Sequence, residues 1–492
     1  MIQQIDYFVI APPAGAGPDG GPGAAARRVP AVPPAPERPA DAGGGVVIAA
    51  GFVVAQALGT GSRSTFCVPR NLGGTAMTCS FVADGFTLVF AGLVLVAAVV
   101  VVLMSMTELA RGGIPVGEWY FLLLCTLVGA VSLPASRDLI MLVVALELVS
   151  LPVFALTALK RYDGRSSEAA VKLFVVSVVS TAIMLFGVSL LYGIAGTVYL
   201  SRLSGVFGGQ VAAPGAPEAM SEGLPAVVTV GVVLVVAGFA FKIAAVPFHA
   251  WAADVYQGAP IPVAALLSVI SKASGFAGLI LVLVAALGGQ ADTWAPIVGI
   301  LAALTMTVGN LLAMRQRSAV RLLAWSSVAQ SGYILAPLAV TGESAVRSSI
   351  AYLVIYAAMN LGAFTVVMLV SRTELDDYRG LVFRRPAAGL ALAFCLICLA
   401  GLPPGLAGLF AKVFVFREIV AGGAGWLALV MAVNTVIGLY YYAVWTARLF
   451  APGERAPLRA PATAWYAMGV AVVAAVLFSF APQLVLDVSS LS

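Results

Sequence analysis

Five ionisable side chains lie inside long apolar stretches of this 492-residue chain: Glu147, Lys242, His249, Lys272 and Lys412. A charge at the centre of a membrane costs about 2.5–3.5 kcal/mol on insertion scales, and such residues mark ion or proton pathways. A buried lysine can give up its proton, whereas an arginine stays charged. These residue types therefore predict proton transfer, with buried ion pairs that only hold helices together as the alternative.

The first lysine stands next to a predicted helix break. The segment FKIAAVPFHAW (241–251) contains Lys242, Pro247 and the only histidine of the chain, His249. Proline has no N–H and clashes with the carbonyl four residues earlier, so Pro247 predicts the break. Such breaks occur at membrane depth where the backbone lines a cavity or is buried in protein. We interpret His249, two turns beyond Lys242 if the helix continued, as a proton relay; a histidine with only local partners is the alternative.

Glu147 is the only charged residue between Asp138 and Lys160. It lies ~13 Å along its helix from Asp138, near the membrane midplane. We expect Lys242 to be its partner, because opposite charges keep each other ionised. A carboxylate bonded to backbone or hydroxyl groups is the alternative.

The second half of the chain also has a lysine near a predicted helix break, but here the break comes before the lysine. Pro403 and Pro404 predict a second break, and Lys412 follows them. Broken spans at corresponding places in two halves indicate inverted repeats with an ion path between them. We place these repeats at 118–287 and 293–450, with five spans each.

The composition excludes a soluble protein, because 61% of the residues are hydrophobic and only 10% are charged. Soluble proteins carry about 25% charged residues, and spanning segments of this kind must be helical. The fold class is therefore all-α and polytopic. We predict about thirteen spans, at 44–59, 84–106, 118–134, 138–159, 168–194, 224–247, 260–287, 293–314, 318–340, 345–370, 386–421, 424–447 and 462–486.

The basic residues of the loops indicate the orientation. If the loops alternate sides, one side collects fourteen Lys and Arg residues, and the other collects Arg63, Arg70, Arg137, Arg202, Arg347 and Arg417. The positive-inside rule makes the first side cytoplasmic, which leaves the C-terminus outside. The net charge of +5 comes from these loops and does not indicate nucleic-acid binding.

The N-terminal region 1–45 is atypical. Residues 14–45 are rich in Pro, Gly and Arg, and we expect them to form a disordered segment that does not span the membrane. Residues 46–117 then hold N-terminal spans and an outer loop, and 462–486 hold the last span.

Four of the five cysteines form two pairs in the sequence. Cys67 and Cys79 share one predicted outer loop, where a disulfide persists if it forms; the sequence leaves paired and free thiols equally open. Cys395 and Cys398 have CxxC spacing inside an apolar span, but no further Cys or His stands near them, so we interpret them as small buried side chains rather than metal ligands.

The segment VPFHAWAADVYQGAPIPVAALLSVISK (246–272) resembles the antiporter-like membrane-arm subunits of bacterial NADH-quinone oxidoreductase (respiratory complex I), most specifically the subunit N family. ALELVSLPVFALTALKR (145–161), SSEAAVKLFVVS (166–177) and LAGLPPGLAGLFAKVFVF (399–416) resemble the same family. The resemblance covers about 84–486. It implies two inverted five-helix repeats, each with a broken helix.

The resemblance also implies roles for single residues. Glu147 matches a glutamate that pairs with the lysine of the first broken helix, here Lys242. Lys272 matches a central lysine, Lys412 matches the lysine of the second broken helix, and His249 matches a histidine between Lys242 and Lys272.

The implied function is proton translocation driven by quinone reduction in other subunits of a bacterial plasma-membrane complex. No cofactor or metal is expected in this chain; NAD, flavin, iron–sulfur clusters and quinone belong to partner subunits. The implied partners are the other membrane-arm subunits and the lipid bilayer. A cation/proton antiporter subunit of related fold is the alternative, against which the DVYQGAP segment argues. A non-transporting structural subunit is a further alternative.

The chain departs from the family pattern of fourteen spans at its N-terminus. The first span should follow MIQQIDYFVIAPP, where residues 14–45 stand instead. A local change of reading frame in the gene is one hypothesis for this departure; a genuine sequence is the other.

Overall fold

Apolar helices make up most of the chain, as a membrane interior requires. The computed structural model describes residues 5–16, 39–59, 61–69, 78–160, 163–210, 226–453 and 461–489. Within these ranges nine helices are long and apolar enough to cross a membrane, and three further apolar helices are shorter. The protein is therefore all-α and multi-pass, as predicted, while the count of thirteen spans stays a prediction.

The described part of the first half contains eleven α-helices. They are α1 (Ala11–Ala16), α2 (Pro39–Ala57), α3 (Gly85–Leu109), α4 (Val116–Ser132), α5 (Leu139–Ala158), α6 (Gly164–Ala195), α7 (Leu200–Phe207), α8 (Ala226–Lys242), α9 (Ala252–Gly258), α10 (Ile261–Leu266) and α11 (Lys272–Ile280). Two π-helical turns, Leu267–Ser271 and Leu281–Ala286, flank α11. Helices α10 and α11 with these turns therefore form one long span.

The described part of the second half contains nine more. They are α12 (Ala291–Ala313), α13 (Ala319–Leu335), α14 (Glu343–Val370), α15 (Leu381–Arg384), α16 (Pro386–Ala400), α17 (Leu406–Ala421), α18 (Gly425–Phe450), α19 (Ala462–Phe480) and α20 (Pro482–Ser489).

Aspartates begin several of the first-half helices. Asp84, Asp138 and Asp163 precede α3, α5 and α6, and each side chain accepts a hydrogen bond from a backbone N–H of the first turn. This is the usual N-cap arrangement. An aspartate directly before an apolar run thus sets where these spans start.

The N-terminal region differs from the expectation at both ends of residues 14–45. Residues 14–16 belong to α1 and residues 39–45 to α2, and the two helices pack together. The alanines and glycines here allow this close packing, which a composition argument for disorder overlooks. Residues 17–38, the rest of that segment, lie outside the described residues.

A short β-hairpin was not predicted from the sequence. Strands β1 (Arg63–Cys67) and β2 (Cys79–Ala83) pair antiparallel, with Cys67 opposite Cys79. A disulfide joins these two cysteines.

Helix α14 lies at the centre of the second half and is buried along nearly its whole length. It packs against α3, α13, α16, α17 and α19. Large apolar side chains are exposed on the outer helices, among them Ile140 on α5, Phe186 on α6, Val436 on α18 and Val473 on α19. Such a surface would be exceptional in water and fits contact with lipid.

Candidate functional site

The first helix break begins at Lys242 itself. Helix α8 ends at this residue, five residues before Pro247, so the break starts earlier than the proline predicts. Ala244 has a φ of 56°, in the left-handed region, which a continuing α-helix does not allow. The next helix, α9, begins at Ala252.

Side-chain hydrogen bonds hold backbone groups at this break. Trp251 Nε1 donates to the carbonyl of Phe241 at 3.3 Å, and the N–H of Val246 donates to Thr305 Oγ1 at 2.9 Å. The broken segment is thereby held in one conformation inside the protein, as a polar backbone at this depth requires.

Lys242 and Glu147 lie within reach of each other. Lys242 Nζ is 3.5 Å from Glu147 Oε1 and donates to Ser150 Oγ at 2.7 Å and Ser177 Oγ at 3.2 Å. Thr181 Oγ1 donates to the same carboxylate oxygen at 2.7 Å. The lysine is 7% exposed, and the glutamate side chain is 25% exposed. The ammonium thus has two hydroxyl acceptors beside its counter-ion.

Lys272 is the first residue of α11 and directly follows a π-helical turn. Such turns recur at functional sites because they displace a side chain from the regular helix pattern. The lysine is 1% exposed, and its Nζ donates to the carbonyl of Ser327 and, at 2.6 Å, to Ser327 Oγ. Tyr356 OH lies 2.7 Å from the same hydroxyl. The ammonium thus binds two neutral oxygens of Ser327 on α13, and Tyr356 on α14 contacts it through that serine hydroxyl and its ring.

One serine connects the first break to the site of Lys272. Ser331 Oγ lies 2.7 Å from the carbonyl oxygen of Ile243 and 3.2 Å from that of Ser327. Ile243 follows Lys242, and Ser327 binds Lys272. Polar atoms of α13 thus bring the two lysine sites together.

The second break lies between α16 and α17, where Pro403 and Pro404 stand. Lys412, on α17, is 7% exposed and donates to the carbonyl of Ala400 at 2.7 Å, so it spans the break. A Cβ on Gly401, whose φ is +82°, would come within 3.0 Å of the Lys412 side chain. Glycine at this position therefore allows both the turn and the lysine.

His249 lies in the segment between α8 and α9. Because α8 ends at Lys242, His249 does not share a helix face with it. Its ring lies 5.4 Å from the ring of Trp325, and Nδ1 has no hydrogen-bond partner of good geometry among the described residues. No hydrogen bond joins it to Lys242 or Lys272 in the described part of the chain, so the relay role stays a prediction.

Sequence inspection missed the polar face of α13. The buried residues of this face are Ser326, Ser327, Gln330, Ser331 and Tyr333. Two of them contact a lysine, Ser327 with Lys272 and Tyr333 with Lys412. Their spacing of one helical turn within an apolar span was the available signal.

A charged cluster near the DVYQGAP segment was also missed. Asp254 on α9 pairs with Arg321 at 2.9 Å and with Lys172 at 3.2 Å. Burial raises the pKa of the Asp254 carboxyl, but the hydrogen bonds from Arg321 and Lys172 outweigh it, so the pKa lies below its usual value. The cluster ties α9 to α6 and α13.

Cys395 and Cys398 are buried free thiols in α16. Among the described residues no group of three His, Cys, Asp or Glu side chains is arranged to hold a metal ion.

Residues 136–438 match the family model described as "NADH:quinone oxidoreductase/Mrp antiporter, TM". Two curated relatives are similar over nearly the whole chain. NADH-quinone oxidoreductase subunit N 2 of Streptomyces griseus is 49% identical, covering 90% of this chain and 86% of that protein. NADH-quinone oxidoreductase subunit N of Salinispora tropica is 42% identical, covering 91% of each.

Solved structures show the same likeness. A chain of respiratory complex I from Thermus thermophilus matches with a TM-score of 0.73 and 30% identity, covering 91% of this chain and 94% of that one. A chain of the Mrp complex from a Dietzia species matches with a TM-score of 0.74 at 21% identity, covering 90% of this chain and 88% of that one; at that identity the likeness shows the fold alone.

Proposed function

Because this chain belongs to the NADH:quinone oxidoreductase/Mrp antiporter family, we propose that it works as the subunit N of a NADH-quinone oxidoreductase and moves protons across the membrane. The residues we assign to the path are Glu147, Lys242, His249, Lys272 and Lys412. Quinone reduction in other subunits drives the transfer.

The observation that carries the proposal is the contact between Lys242 and Glu147 at a helix break. At this separation the attraction between unit charges is about 4 kcal/mol at an effective dielectric constant near 20. A change of that size is enough to decide whether the lysine holds or releases its proton. An ion pair of this kind can therefore act as a switch.

The proposed mechanism is electrostatic. When a proton arrives at or leaves Lys272, the field at Lys242 changes, and with it the strength of the pairing with Glu147. Ser331 and Ser327 supply a short polar connection between the two sites. Lys412, at the second break, serves as the outlet-side site, and His249 acts with water as a relay near the first break.

The setting of the subunit follows from the same proposal. The chain lies in a bacterial plasma membrane with its C-terminus outside, beside the other membrane-arm subunits. NAD, flavin, iron–sulfur clusters and quinone bind to partner subunits. Residues 118–287 and 293–450 form the two inverted repeats. Two isolated β-bridges support this assignment. Asp138, before α5, pairs with Tyr199, after α6, and Ser318, before α13, pairs with Glu374, after α14. The two bridges thus lie at corresponding places of the two halves.

Proton pumping by the assembled complex in membrane vesicles tests the proposal. Lys242→Ala and Lys272→Ala should each lower the number of protons pumped per NADH oxidised. Lys160→Ala is the control, because Lys160 is half-exposed at the end of a span and pairs with Asp163 outside the proposed path. Full pumping by both buried-lysine variants would refute the mechanism.

The alternative is a cation/proton antiporter subunit, since the description of the matching family also names the Mrp antiporter. Purification separates the two functions. Our proposal expects the chain to purify with NADH-oxidising subunits, whereas sodium-dependent proton exchange in vesicles that lack those subunits would favour the antiporter.

A further inference from the structure

One side of α13 reaches from Lys272 to Lys412. Ser327, Gln330 and Tyr333 recur every three residues along it, so the face is ~9 Å long. Lys272 Nζ donates to Ser327 Oγ at 2.6 Å, and Lys412 Nζ lies 5.3 Å from the centre of the Tyr333 ring. Each lysine thus contacts one end of this face.

Gln330, in the middle of the face, joins two tyrosine hydroxyls. Tyr352 OH donates to Gln330 Oε1 at 2.7 Å, and Gln330 Nε2 donates to Tyr442 OH at 3.3 Å. The Tyr442 hydroxyl also bonds Ser326 Oγ, next to the serine that binds Lys272. All four side chains are almost fully buried. The amide oxygen accepts from Tyr352 and the amide nitrogen donates to Tyr442, so the Tyr352 O–H bond points to Gln330 and the Tyr442 O–H bond points away from it.

The second tyrosine leads toward Lys412. The ring of Tyr352 stacks on that of Tyr333, with centroids 6.1 Å apart and planes 8° from parallel. Tyr333 is the ring beside the Lys412 ammonium. The two ends of the Gln330 side chain therefore point to the two lysine sites, through Tyr442 and Ser326 on one side and through Tyr352 and Tyr333 on the other.

No histidine is available for this connection, since the only one in the chain is His249 at the first break. The side chains that link the two lysine sites along α13 are hydroxyls and an amide. Tyrosine hydroxyls both accept and donate a hydrogen bond, as a proton relay requires.

We propose that Tyr352 and Tyr442, held in position by Gln330, carry protons between Lys272 and Lys412; this inference rests on the proposed function. An N–H bond of protonated Lys272 breaks as an O–H bond forms on Ser327 Oγ. The original O–H bond of Ser327 breaks as its proton passes through a water molecule to Ser326 Oγ, and Ser326 in turn gives up its own proton to Tyr442 OH. The O–H bond of Tyr352 breaks as its proton passes through a further water molecule, and an N–H bond forms on neutral Lys412. Gln330 releases no proton itself: it is a positioning residue, and a water molecule joins the two tyrosine hydroxyls beside it.

Tyr352→Phe and Tyr442→Phe test the relay in the assembled complex, in membrane vesicles. Each variant should pump severalfold fewer protons per NADH while NADH oxidation with an uncoupler stays near the wild-type rate. Tyr378→Phe is the matched control, because Tyr378 is equally buried but donates to the carbonyl of Arg372 in a loop away from the lysines. Pumping by both variants at the level of this control would overturn the proposal.

Substitutions of Gln330 test its positioning role. Glutamate in Gln330→Glu has the same shape as glutamine. Its carboxyl can accept from one tyrosine and donate to the other only while it is protonated. Pumping by this variant should therefore fall as the pH rises through the pKa of that carboxyl. Gln330→Leu should pump poorly at every pH. The wild-type amide does not titrate. If both variants pumped as many protons per NADH as the wild type at every pH, the positioning role would be excluded.

Lys412→Ala separates this inference from the proposed function. If Lys412→Ala stops pumping while the Tyr352 and Tyr442 variants pump fully, the relay is wrong and the function stands. If Lys412→Ala itself pumps fully, the assignment of Lys412 fails, and the relay fails with it.

Discussion

Lys412 Nζ lies 2.7 Å from the carbonyl oxygen of Ala400, the last residue of α16. The ammonium thereby binds the end of a helix whose last carbonyls have no partner within the helix. Lys242 is likewise the last residue of α8. Both broken helices thus place a lysine at a helix C-terminus, where the helix dipole favours a positive charge. The breaks therefore stabilise two cations that the apolar surroundings disfavour.

Lys412→Arg should abolish most of the pumping although it keeps the positive charge. A guanidinium still donates to the carbonyl of Ala400, but it does not lose its proton at any working pH. Protons pumped per NADH in vesicles are the measurement. Normal assembly on a native gel would show that the loss is not structural, and wild-type pumping by the arginine variant would contradict a protonation role for Lys412.

The sequence predicts that the long apolar runs are helical, because a helix is the one stable solution for such a run in lipid. Helix α3, Gly85–Leu109, lies within three residues of the predicted span 84–106 at each end. The buried lysines and Glu147 also stand out, because a charge in such a run is rare. The sequence does not show the start of the first break, since the left-handed turn at Ala244 depends on contacts from Thr305 and Ser331 in other helices.

The double variant Glu147→Gln with Lys242→Met should assemble better than Lys242→Met alone. The single change leaves the carboxylate without its cation, and breaking a buried pair costs about 3–5 kcal/mol, whereas removing both charges is often neutral. Because Glu147 is partly exposed, we expect the lower end of this range. Complex content of the membranes, measured on native gels, is the readout. Equal losses in the single and double variants would show that the two side chains do not interact.

The Asp254 cluster should hold α9 in place above about pH 4 and release it in acid. Arg321 and Lys172 keep the pKa of the Asp254 carboxyl below its usual value. A group with a lowered pKa in the folded state stabilises above its unfolded pKa, and that contribution is lost as the pH falls through the folded pKa. Hydrogen exchange of the α9 amides should therefore speed up, relative to the intrinsic rate, as the pH falls through that range.

Asp254→Asn is the matching variant for this experiment, because it removes the charge without changing the size of the side chain. It should show weaker protection of α9 at neutral pH and no further loss in acid. Asp254→Glu should restore part of the pH dependence. An acid transition that persists unchanged in Asp254→Asn would assign it to another group.

The polar face of α13 shows why a site of this kind is hard to find from one sequence. Serine, glutamine and tyrosine in an apolar span carry no charge, so they cost little and do not stand out as the lysines do. Only the packing of α14 and α18 against this region brings Tyr352 and Tyr442 to Gln330. Neither tyrosine is near Gln330 in sequence, and a helical period alone does not identify partners on other helices.

Gly408→Ala should prevent correct assembly of the second break. A Cβ at Gly408 would overlap with the carbonyl oxygen of Cys398, because α17 packs closely against the end of α16. Overpacking of this kind typically costs about 1–3 kcal/mol, and here it would also displace Lys412, one turn further along α17, from Ala400. Gly469→Ala, on α19, is the control, since a Cβ there meets nothing within 4 Å. The Gly408 variant should lose both complex content and pumping, and the control should keep both. If Gly408→Ala assembles and pumps like Gly469→Ala, the close packing of the two half-helices is not required for the position of Lys412.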